Sequence, residues 1–370
     1  MKDHRAEVVE LEIFPHNNAD RLEIAQPIGT DWFVVVGKGE FVTGDLGIYI
    51  PIDSVVPNEF IQKYLANSKI KLSNNRIKSI KIRGAVSQGL IIRPEPSHQL
   101  GEDVTDELGI KKYEPPNPKW YREQPYVKTP RKMRKFISFV NDKFPKYTKI
   151  SNHKYHKNAM ENQEVVLTEK IHGTNFRAGT VHIGDFKYPW YKELWYKLTG
   201  KKPQWQFIVG SHNVTKWHED KIYWRAAKEA GLDKLGPEWN GFIFYGEIYG
   251  FGIQELAYGT NPGEIRLAIF DILWTNEYGQ MSYLPWAEVK RICKSLNLHH
   301  VPELYIGPWS DGLISKYADG KSIMPNANHH REGFVVKPTT ESFHPNVGRL
   351  ILKRISDVYL LSKGNKTDYH

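Results

Sequence analysis

The chain has 370 residues, of which 40% are hydrophobic and 25% charged, with 29 glycines, 22 prolines and one cysteine. This length favours two domains that each bury a core, and the composition excludes a disordered or low-complexity protein. Cys293 alone excludes an internal disulfide and a cysteine-rich zinc module. No apolar run reaches the ~20 residues that a bilayer span requires, and the first residues lack a signal-peptide core. We expect an intracellular monomer without a membrane partner.

The charge and the aromatic content of the chain favour one class of partner. The formal net charge is +9, the isoelectric point is about 9.2, and 13% of the residues are Phe, Trp or Tyr. A basic, aromatic-rich surface suits a polyanion whose bases can stack, so nucleic acid is the leading partner class.

Residues 1–110 show short β-patterned runs separated by Gly, Pro, Asp or Asn turns. The runs read EVVELEIF, DWFVVVGKGEF, GDLGIYIPI, RIKSIKIRG and QGLIIRP. Five closely spaced strands predict an all-β barrel of the OB type, a fold that commonly binds oligonucleotides. The stretches HNNADRLEIAQ (16–26) and VSQGLIIRP (86–94) resemble OB modules that bind tRNA.

The composition changes after this region. Residues 111–135 are rich in proline, tyrosine and cations and lack a clean period, which predicts a linker. Residues 136–370 alternate strand patterns with helical stretches, which predicts an α+β domain with antiparallel sheets. The helical stretches are KFISFVNDKF, HEDKIYWRAAKEAG and PWAEVKRICKSLN.

One segment of the second domain, residues 186–207, carries Trp190, Trp195 and Trp205 among lysines. It has two interpretations: a nucleic-acid-binding element with stacking rings, or an amphipathic helix that docks its tryptophans onto the domain. Docking is the more common use of such a pattern, so we predict docking and leave the segment out of the candidate site.

Five apolar strand patterns, each with one or two charged residues, follow one another through the second domain. They are EKIHGTNFR (169–177), FYGEIYGFG (244–252), AIFDILW (268–274), EGFVVKP (332–338) and RLILKR (349–354). A single Lys-x-His-Gly tetrapeptide is more often a turn with an exposed lysine. Five motifs in this order, however, resemble the nucleotidyltransferase motifs of polynucleotide ligases and RNA-capping enzymes. The His-Gly-Thr-Asn sequence resembles ATP-dependent RNA ligases in particular.

The expected position of the barrel indicates which of these enzyme families the chain resembles most. DNA ligases and capping enzymes with these motifs carry an OB domain after the last lysine motif, and too few residues follow Lys353 here to form one. We therefore expect the barrel at the N-terminus. That order resembles the RNA ligase family typified by the Deinococcus and Naegleria enzymes.

The resemblance implies that Lys170 is a nucleophile. Its amine would attack the α-phosphate of ATP, release pyrophosphate and hold AMP, which would pass to an RNA 5′-phosphate and be displaced by a 3′-hydroxyl. The RNA ends could also lie in a nicked duplex. A lysine amine attacks only when it is neutral, a form that nearby cations and burial favour. Lys337, Lys353 and Mg²⁺ or Mn²⁺ are the expected sources of positive charge.

The resemblance also implies roles for residues around the nucleotide. Glu332 is the expected metal contact, because hard divalent cations prefer carboxylate oxygen. Glu247 is expected at the ribose and Phe270 at the adenine. The remaining expected nucleotide contacts are Glu169, Ile171, Lys337 and Lys353, and the candidate contacts to phosphate or an RNA end are His172, Asn175, His212 and Lys149.

The last motif departs from the pattern of related ligases. Ile351 stands where they often carry a second lysine, so Arg349 or Arg354 is a candidate for that cation. Two other functions also stay open: a GTP-dependent RNA-capping nucleotidyltransferase, and a non-catalytic protein that binds RNA ends or tRNA. The expected lack of a C-terminal barrel disfavours capping, and the joint presence of the charged motif residues disfavours a non-catalytic protein.

Overall fold

Short antiparallel strands dominate the first third of the chain. The computed structural model describes residues 4–66, 68, 70–115, 128–217, 219–276 and 278–362. The strands of the first part are β1 (Glu7–Pro15), β2 (Leu22–Pro27), β3 (Val34–Gly37), β4 (Leu46–Ile50), β5 (Ser54–Val55), β6 (Ser79–Ile82), β7 (Ala85–Gln88), β8 (Leu90–Ile92) and β9 (Lys111–Lys112). Its helical turns are α1 (Asn58–Phe60), a π-helical turn (Ile61–Leu65) and a 3-10 turn (Ser73–Asn75).

Strands β3, β2, β1, β4 and β8 hydrogen-bond in that order into one antiparallel sheet that curves into a nearly closed barrel. Strand β1 pairs with two strands: its residues 7–10 pair with β4, and its residues 11–15 pair with β2. On the open side, the Gln88 amide donates to the Phe33 carbonyl oxygen (2.7 Å). The predicted OB-like barrel is confirmed.

One predicted barrel strand lies elsewhere. The run RIKSIKIRG contains β6, which pairs with β7 in a two-stranded ribbon beside the barrel, and Ile80 is 47% exposed there. The barrel strand missing from the prediction is β2, whose Ala25 is buried in the barrel core. The prediction for RIKSIKIRG is therefore wrong, because β6 pairs with β7 in a separate two-stranded sheet.

The second part combines helices with two larger sheets. Its helices are α2 (Arg131–Asn141), α3 (Trp190–Thr199), α4 (Tyr223–Glu229), α5 (Trp286–Ser295), α6 (Gly312–Tyr317) and α7 (Asp357–Leu361), with 3-10 turns at His153–Tyr155, Leu232–Lys234 and Pro237–Trp239. Its strands are β10 (Ser151–Asn152), β11 (Glu164–Glu169), β12 (Thr174–His182), β13 (Trp205–Ser211), β14 (Thr215–Lys216), β15 (Phe242–Gly250), β16 (Ile265–Thr275), β17 (Met281–Tyr283), β18 (Glu303–Pro308), β19 (Gly333–Pro338), β20 (Phe343–His344), β21 (Gly348–Arg349) and β22 (Leu352–Ile355).

The two sheets pack face to face. The five-stranded sheet has the order β10-β22-β19-β11-β18, and the six-stranded sheet has the order β14-β13-β12-β15-β16-β17. Neighbouring strands are antiparallel, except that β10 and β22 are parallel. Val166 of the first sheet shares a buried cluster with Phe176 of the second. The predicted α+β domain with antiparallel sheets is confirmed.

The three predicted helical stretches form α2, α4 and α5. Of the predicted linker, residues 116–127 lie outside the described residues; before them β9 pairs with β5 of the first part, and after them α2 begins at Arg131. Within the described ranges, every helix is too short or too polar to cross a membrane.

The tryptophan-rich segment forms α3, but the predicted docking of its tryptophans is wrong. Trp190 is 78% exposed and Trp195 is 52% exposed. The side of α3 that contacts the domain carries Glu193, which accepts from the Tyr188 amide (2.9 Å), and Tyr196, whose ring lies 5.1 Å from that of Tyr188. A polar contact therefore holds the helix, and its apolar side faces outward.

The C-terminal helix α7 joins the two parts. Its Asp357 accepts from Lys154 (3.0 Å) and from Gln88 of the barrel (3.0 Å), and Lys154 also contacts the Gln88 side chain. Leu360 of the same helix packs against the barrel core around Trp32. The barrel thus contacts the second part through the helix that ends the described chain.

Candidate active site

Lys170 lies directly after β11, at the edge of the cleft between the sheets. Its amide donates to the Gly333 carbonyl oxygen (3.0 Å), and its Nζ donates to Glu332 Oε1 (2.9 Å). The Glu332 side chain is fully buried, whereas 11% of the Lys170 side chain is exposed. A Cβ on Gly333 would lie 2.0 Å from the Arg354 carbonyl oxygen, so glycine is required where β19 meets β22. The Lys170 amine is therefore held at a buried carboxylate but remains accessible.

His172 lies behind Glu332 and is 5% exposed. Its amide donates to the Tyr258 hydroxyl (2.6 Å), and its Nδ1 lies 3.2 Å from the Tyr359 hydroxyl and 3.6 Å from Glu332 Oε2. A connected set of side chains thus runs from Tyr359 of α7 through His172 and Glu332 to Lys170. This position gives His172 a structural relation to Lys170 that the sequence alone does not reveal.

Glu247 and Asn175 are cross-strand partners on β15 and β12, so their side chains share one face of the six-stranded sheet. Gly173 packs closely against β15, since a Cβ there would lie 2.2 Å from the Ile248 carbonyl oxygen. Burial raises the pKa of Glu247 to about 8; Glu332 adds to the increase, while Lys170 and the Gly173 amide oppose it. Asn175 Oδ1 is buried without a hydrogen-bond partner among the described residues.

Lys337 and Lys353 lie on the cleft side of the five-stranded sheet. Lys337 pairs with Val166 on the neighbouring strand and Lys353 pairs with Val335, and directly paired residues point to the same face. From the opposite sheet, Asp271 accepts from Lys337 Nζ (3.1 Å). An ion pair therefore bridges the two sheets beside the candidate nucleotide site.

Asp271 is the centre of a buried cluster. It also accepts from Arg349 Nη2 (2.6 Å) and from the Tyr147 hydroxyl (2.8 Å). Burial alone would raise the pKa of Asp271, but Lys337 and Arg349 outweigh burial and hold it below its ordinary value. Of the two arginines proposed for the last motif, Arg349 thus lies in this cluster. Arg354 pairs with Asp31 of the first part (3.1 Å).

The residues expected at the base have different surroundings. Phe270 is half-buried, with its ring centroid 4.8 Å from that of Tyr147. Ile171 is 3% exposed and belongs to the core between the sheets. The carboxylate of Glu169 accepts from Ser322 Oγ (2.5 Å) and from the Ile323 amide (2.8 Å), so it holds that loop.

The two outer candidates lie on different sheets. His212 follows β13, whose Ser211 pairs with Phe176, so it comes beside Asn175 at the same end of the six-stranded sheet. Burial lowers the pKa of His212, and Arg177 and Lys146 lower it further. Lys149 is exposed and precedes β10, whose Asn152 pairs with Lys353.

Comparison with known proteins identifies the family. The sequence profile of the family described as RNA ligase matches residues 163–355, more than half of the chain. The chain belongs to the RNA ligase family. Residues 7–94 of this RNA ligase match an OB-fold domain, which confirms the expected N-terminal barrel. No curated protein sequence matches the chain significantly.

Solved structures of Naegleria gruberi RNA ligase resemble this RNA ligase over almost its full length. A lysine-to-alanine mutant with ATP and Mn is 25% identical, with a TM-score of 0.69, and the match covers 96% of this chain and 98% of that one. A mutant with AMP and Mn gives the same identity, TM-score and coverage. The form with PPi is 25% identical at a TM-score of 0.68, covering 97% of this chain and 98% of that one.

The site offers few protein ligands to a divalent cation. No cluster of three or more His, Cys, Asp or Glu side chains with metal-binding geometry occurs in the described part of this RNA ligase. Glu332 and Glu247 nevertheless lie close enough for the charge of one to raise the pKa of the other. Mg²⁺ commonly binds through one or two carboxylates plus substrate phosphates and waters. The Glu332 carboxylate fits that mode of binding.

Several site residues were absent from the sequence prediction. Asp271 had a usable signal, because it is a lone charge inside the apolar run AIFDILW. Tyr258 and Tyr359 had none, since they are distant in sequence and reach His172 only in the folded chain.

Proposed function

We propose that this RNA ligase is an ATP-dependent enzyme that joins RNA ends through AMP held on Lys170. The observation that carries the proposal is the Lys170 amine, held 2.9 Å from buried Glu332 at the edge of a cleft that also contains Glu247. The Naegleria gruberi complexes with ATP and Mn, AMP and Mn, and PPi support it, because ATP is the nucleotide that such a reaction consumes, and pyrophosphate and AMP are what its first and last steps release.

The first step is a transfer of AMP to the protein. The neutral Lys170 amine attacks the α-phosphorus of ATP, a nitrogen–phosphorus bond forms, the bond to pyrophosphate breaks, and one amine proton leaves to solvent. Glu332 positions the amine before attack. Mg²⁺ or Mn²⁺ on Glu332 would free the amine from that carboxylate and offset negative charge on the phosphates.

The next two steps join RNA. An oxygen of an RNA 5′-phosphate attacks the phosphorus of lysyl-AMP, so that the bond to Lys170 breaks and the amine regains a proton. A 3′-hydroxyl then attacks the 5′-phosphorus, loses its proton and displaces AMP. The substrate has a 3′-hydroxyl and a 5′-phosphate, either on two strands or at a nick in a duplex, and the enzyme acts as a monomer.

Four residues of the cleft are proposed to contact the nucleotide. With a pKa of about 8, Glu247 keeps a proton near neutral pH and can donate it to a ribose oxygen. Phe270 is the proposed stacking partner of adenine, and Lys353 is proposed to contact phosphate oxygens. Lys337 contributes its charge as part of the Asp271 cluster.

The remaining candidates fall into two groups. His212, Asn175 and Lys149 are proposed to contact an RNA end or phosphate. His172 and Glu169 contact other protein groups, so we assign them positioning roles: His172 on Glu332 and Glu169 on the loop at Ser322. Ile171 forms the apolar floor beneath the nucleophile.

A labelling experiment tests the proposal. The protein is incubated with Mg²⁺ or Mn²⁺ and with ATP or GTP labelled at the α-phosphate, then denatured, and label on the polypeptide is measured. We expect label from ATP in the wild type and none in Lys170→Ala, because no other group in the site replaces the amine. The exposed substitution Lys228→Ala should keep full labelling.

Other results would contradict the proposal. Label from GTP alone would favour a capping-type transfer, and no label with either nucleotide and either metal would favour a non-catalytic RNA-binding protein. If labelling succeeds, sealing of a nicked RNA duplex with a 3′-hydroxyl and a 5′-phosphate tests the proposed ends. If the protein seals neither the nicked duplex nor any single-stranded RNA, the proposed AMP transfer is still supported but the proposed RNA substrate is wrong.

A further inference from the structure

Helix α3 presents its apolar side to solvent. The residues on this side are Trp190 (78% exposed), Tyr191 (57%), Leu194 (50%), Trp195 (52%) and Leu198 (78%), called the tryptophan face below. None of the residues of α3 is buried. Their spacing places all five on one side of a helix. A contiguous apolar patch on a soluble protein usually marks an interaction site.

The opposite side of α3 already has its partners. Glu193 accepts from the Tyr188 amide and contacts Lys202 (3.4 Å), and Tyr196 stacks edge-on against Tyr188. In an ordinary surface helix the apolar side would face the domain and the polar side would face water. Helix α3 is inverted, so folding of the domain does not account for the tryptophan face.

Positive charge surrounds the tryptophan face. Between residues 187 and 205 the chain carries Lys187, Lys192, Lys197, Lys201 and Lys202, and its one acidic residue there, Glu193, is paired with Lys202. Trp205, at the start of β13 and packed against the His182 ring, is 41% exposed. Aromatic rings among lysines that outnumber the acidic residues suit a single-stranded nucleic acid, whose bases stack and whose phosphates attract lysine.

The same sheet connects the tryptophan face to the candidate active site. Strands β12 and β13 pair from Phe176 and Ser211 near the nucleophile to His182 and Trp205 next to α3. At ~3.4 Å per residue, the eight steps from Thr174 to His182 span roughly 27 Å. An RNA strand with its end at Lys170 would have to be several nucleotides long to reach α3.

We propose that the tryptophan face binds a single-stranded part of the RNA substrate, several nucleotides away from the end that is joined. Bases stack on Trp190, Trp195 and Tyr191, and the neighbouring lysines contact phosphates. RNA is favoured over a lipid surface or a second copy of this chain because the family already has RNA as its substrate and the surrounding charge complements it. The inference rests on the proposed function in one respect: it takes the RNA end to lie at Lys170 and the strand to run from there towards α3.

Binding of labelled RNA by fluorescence anisotropy tests this surface. The double variant Trp190→Ser/Trp195→Ser is compared with wild type, using single-stranded RNA of about 20 nucleotides and of about 4 nucleotides with a 5′-phosphate. We expect the variant to bind the long RNA at least about tenfold more weakly, because each stacked base contributes measurably. Its affinity for the short RNA should fall less, since that RNA cannot contact Lys170 and α3 at the same time.

A matched control removes exposed aromatic rings elsewhere. Tyr278 is 80% exposed and Phe343 is 79% exposed, so Tyr278→Ser/Phe343→Ser removes comparable apolar surface. This control should bind both RNAs like wild type. Replacing Lys192 and Lys197 with Ala should weaken binding of the long RNA and reduce its dependence on salt.

Three outcomes would overturn the inference. One is equal binding of the long RNA by the double variant and wild type. The second concerns phosphatidylcholine–phosphatidylserine vesicles: wild type binds them, and the double variant does not bind them but keeps its RNA affinity. That result would assign the face to a lipid surface. The third is a dimer that wild type forms in a concentration-dependent way and the double variant does not form, with no change in RNA affinity. That result would assign the tryptophan face to a second copy of the chain.

The test is separate from that of the proposed function. Labelling of Lys170 by ATP requires no RNA, so the double variant should be labelled like wild type. A wild-type protein that binds long RNA through the tryptophan face but takes no label would contradict the AMP transfer and leave this surface standing.

Discussion

At the scale of single residues, Glu332 is the group on which the candidate site depends. One of its oxygens accepts from Lys170, and the other lies 3.6 Å from His172, which is in turn 3.2 Å from the Tyr359 hydroxyl. His172 is therefore linked to the Lys170 amine through the carboxylate. A positioned carboxylate restricts the lysine to the orientation from which it can attack.

Removal of the Tyr359 hydroxyl tests this relation. In Tyr359→Phe the ring still packs against His172, but the hydrogen bond is lost, at a cost of about 1 kcal/mol. We expect self-adenylylation to be roughly fivefold slower, while the KM for ATP changes little because Tyr359 does not line the nucleotide site. Single-turnover labelling at saturating and limiting ATP measures both quantities.

Tyr305→Phe is the control for loss of a tyrosine hydroxyl. The Tyr305 hydroxyl donates to the Pro308 carbonyl oxygen, within β18 and away from Lys170. Its labelling rate should match wild type. A normal labelling rate in Tyr359→Phe, or an equal decrease in both variants, would show that the Tyr359–His172 contact has only a structural role.

At the scale of elements, the cleft depends on how the two sheets are held together. Asp271 of β16 accepts from Lys337 of β19, so opposite sheets are joined by a buried ion pair. Arg349 of β21 and Tyr147 complete the arrangement. Such a cluster is sensitive to loss of Asp271, because buried Lys337 would then lose its carboxylate partner, whereas Arg349 would keep its ion pair with Glu341 (2.6 Å).

Asp271→Asn should therefore destabilise the protein strongly. We expect the free energy of unfolding to fall by about 3–5 kcal/mol, the range for breaking a buried ion pair. Urea unfolding followed by tryptophan fluorescence measures the change. Asp185→Asn, which affects exposed contacts with Lys143 and His182, should remain within about 0.5 kcal/mol of wild type. Similar stabilities for the two variants would contradict the bridging role of Asp271.

At the scale of the whole molecule, α7 is the element that brings the barrel and the site together. Asp357 at its start binds Lys154 and Gln88, Leu360 packs on the barrel core, and Tyr359 between them reaches His172. Contacts to the barrel and contacts to the catalytic network thus alternate along one short helix. We therefore expect a change in the contact between α7 and the barrel to alter the surroundings of Lys170.

Asp357→Ala tests this coupling. Lys154, 2% exposed, loses a charged partner, and we expect a decrease of about 1.5–3 kcal/mol in the free energy of unfolding. Self-adenylylation should also slow, because Tyr359 shifts with the helix. The exposed substitution Asp106→Ala should change neither quantity. Full labelling activity in a destabilised Asp357→Ala protein would show that the barrel contact and the nucleophile are independent.

The sequence predicted most of the architecture because its signals are local or ordered along the chain. Strand alternation indicated the OB-like barrel, although RIKSIKIRG was assigned to it in place of β2. The five motifs indicated the nucleotidyltransferase fold. The roles of Lys170, Glu247, Glu332 and the other candidate residues stay predictions, with a geometry compatible with several of them.

Contacts between distant segments could not be predicted in the same way. Lys337 was expected at the nucleotide, but its partner Asp271 is 66 residues away in sequence and lies on the other sheet. The orientation of α3 was wrong, because the pattern of an amphipathic helix defines which residues share a side and leaves open which side meets the domain.

The sequence by itself determined the family, the order of the two folds and the identity of the candidate nucleophile, because these depend on residue types at ordered positions. The tertiary structure decided that His172 is tied to Tyr359, that Asp271 joins the sheets and that the tryptophan face is exposed. Each of these depends on pairing between segments far apart in the chain. Local propensity and periodicity do not encode such pairings, since they arise from how the sheets and helices pack.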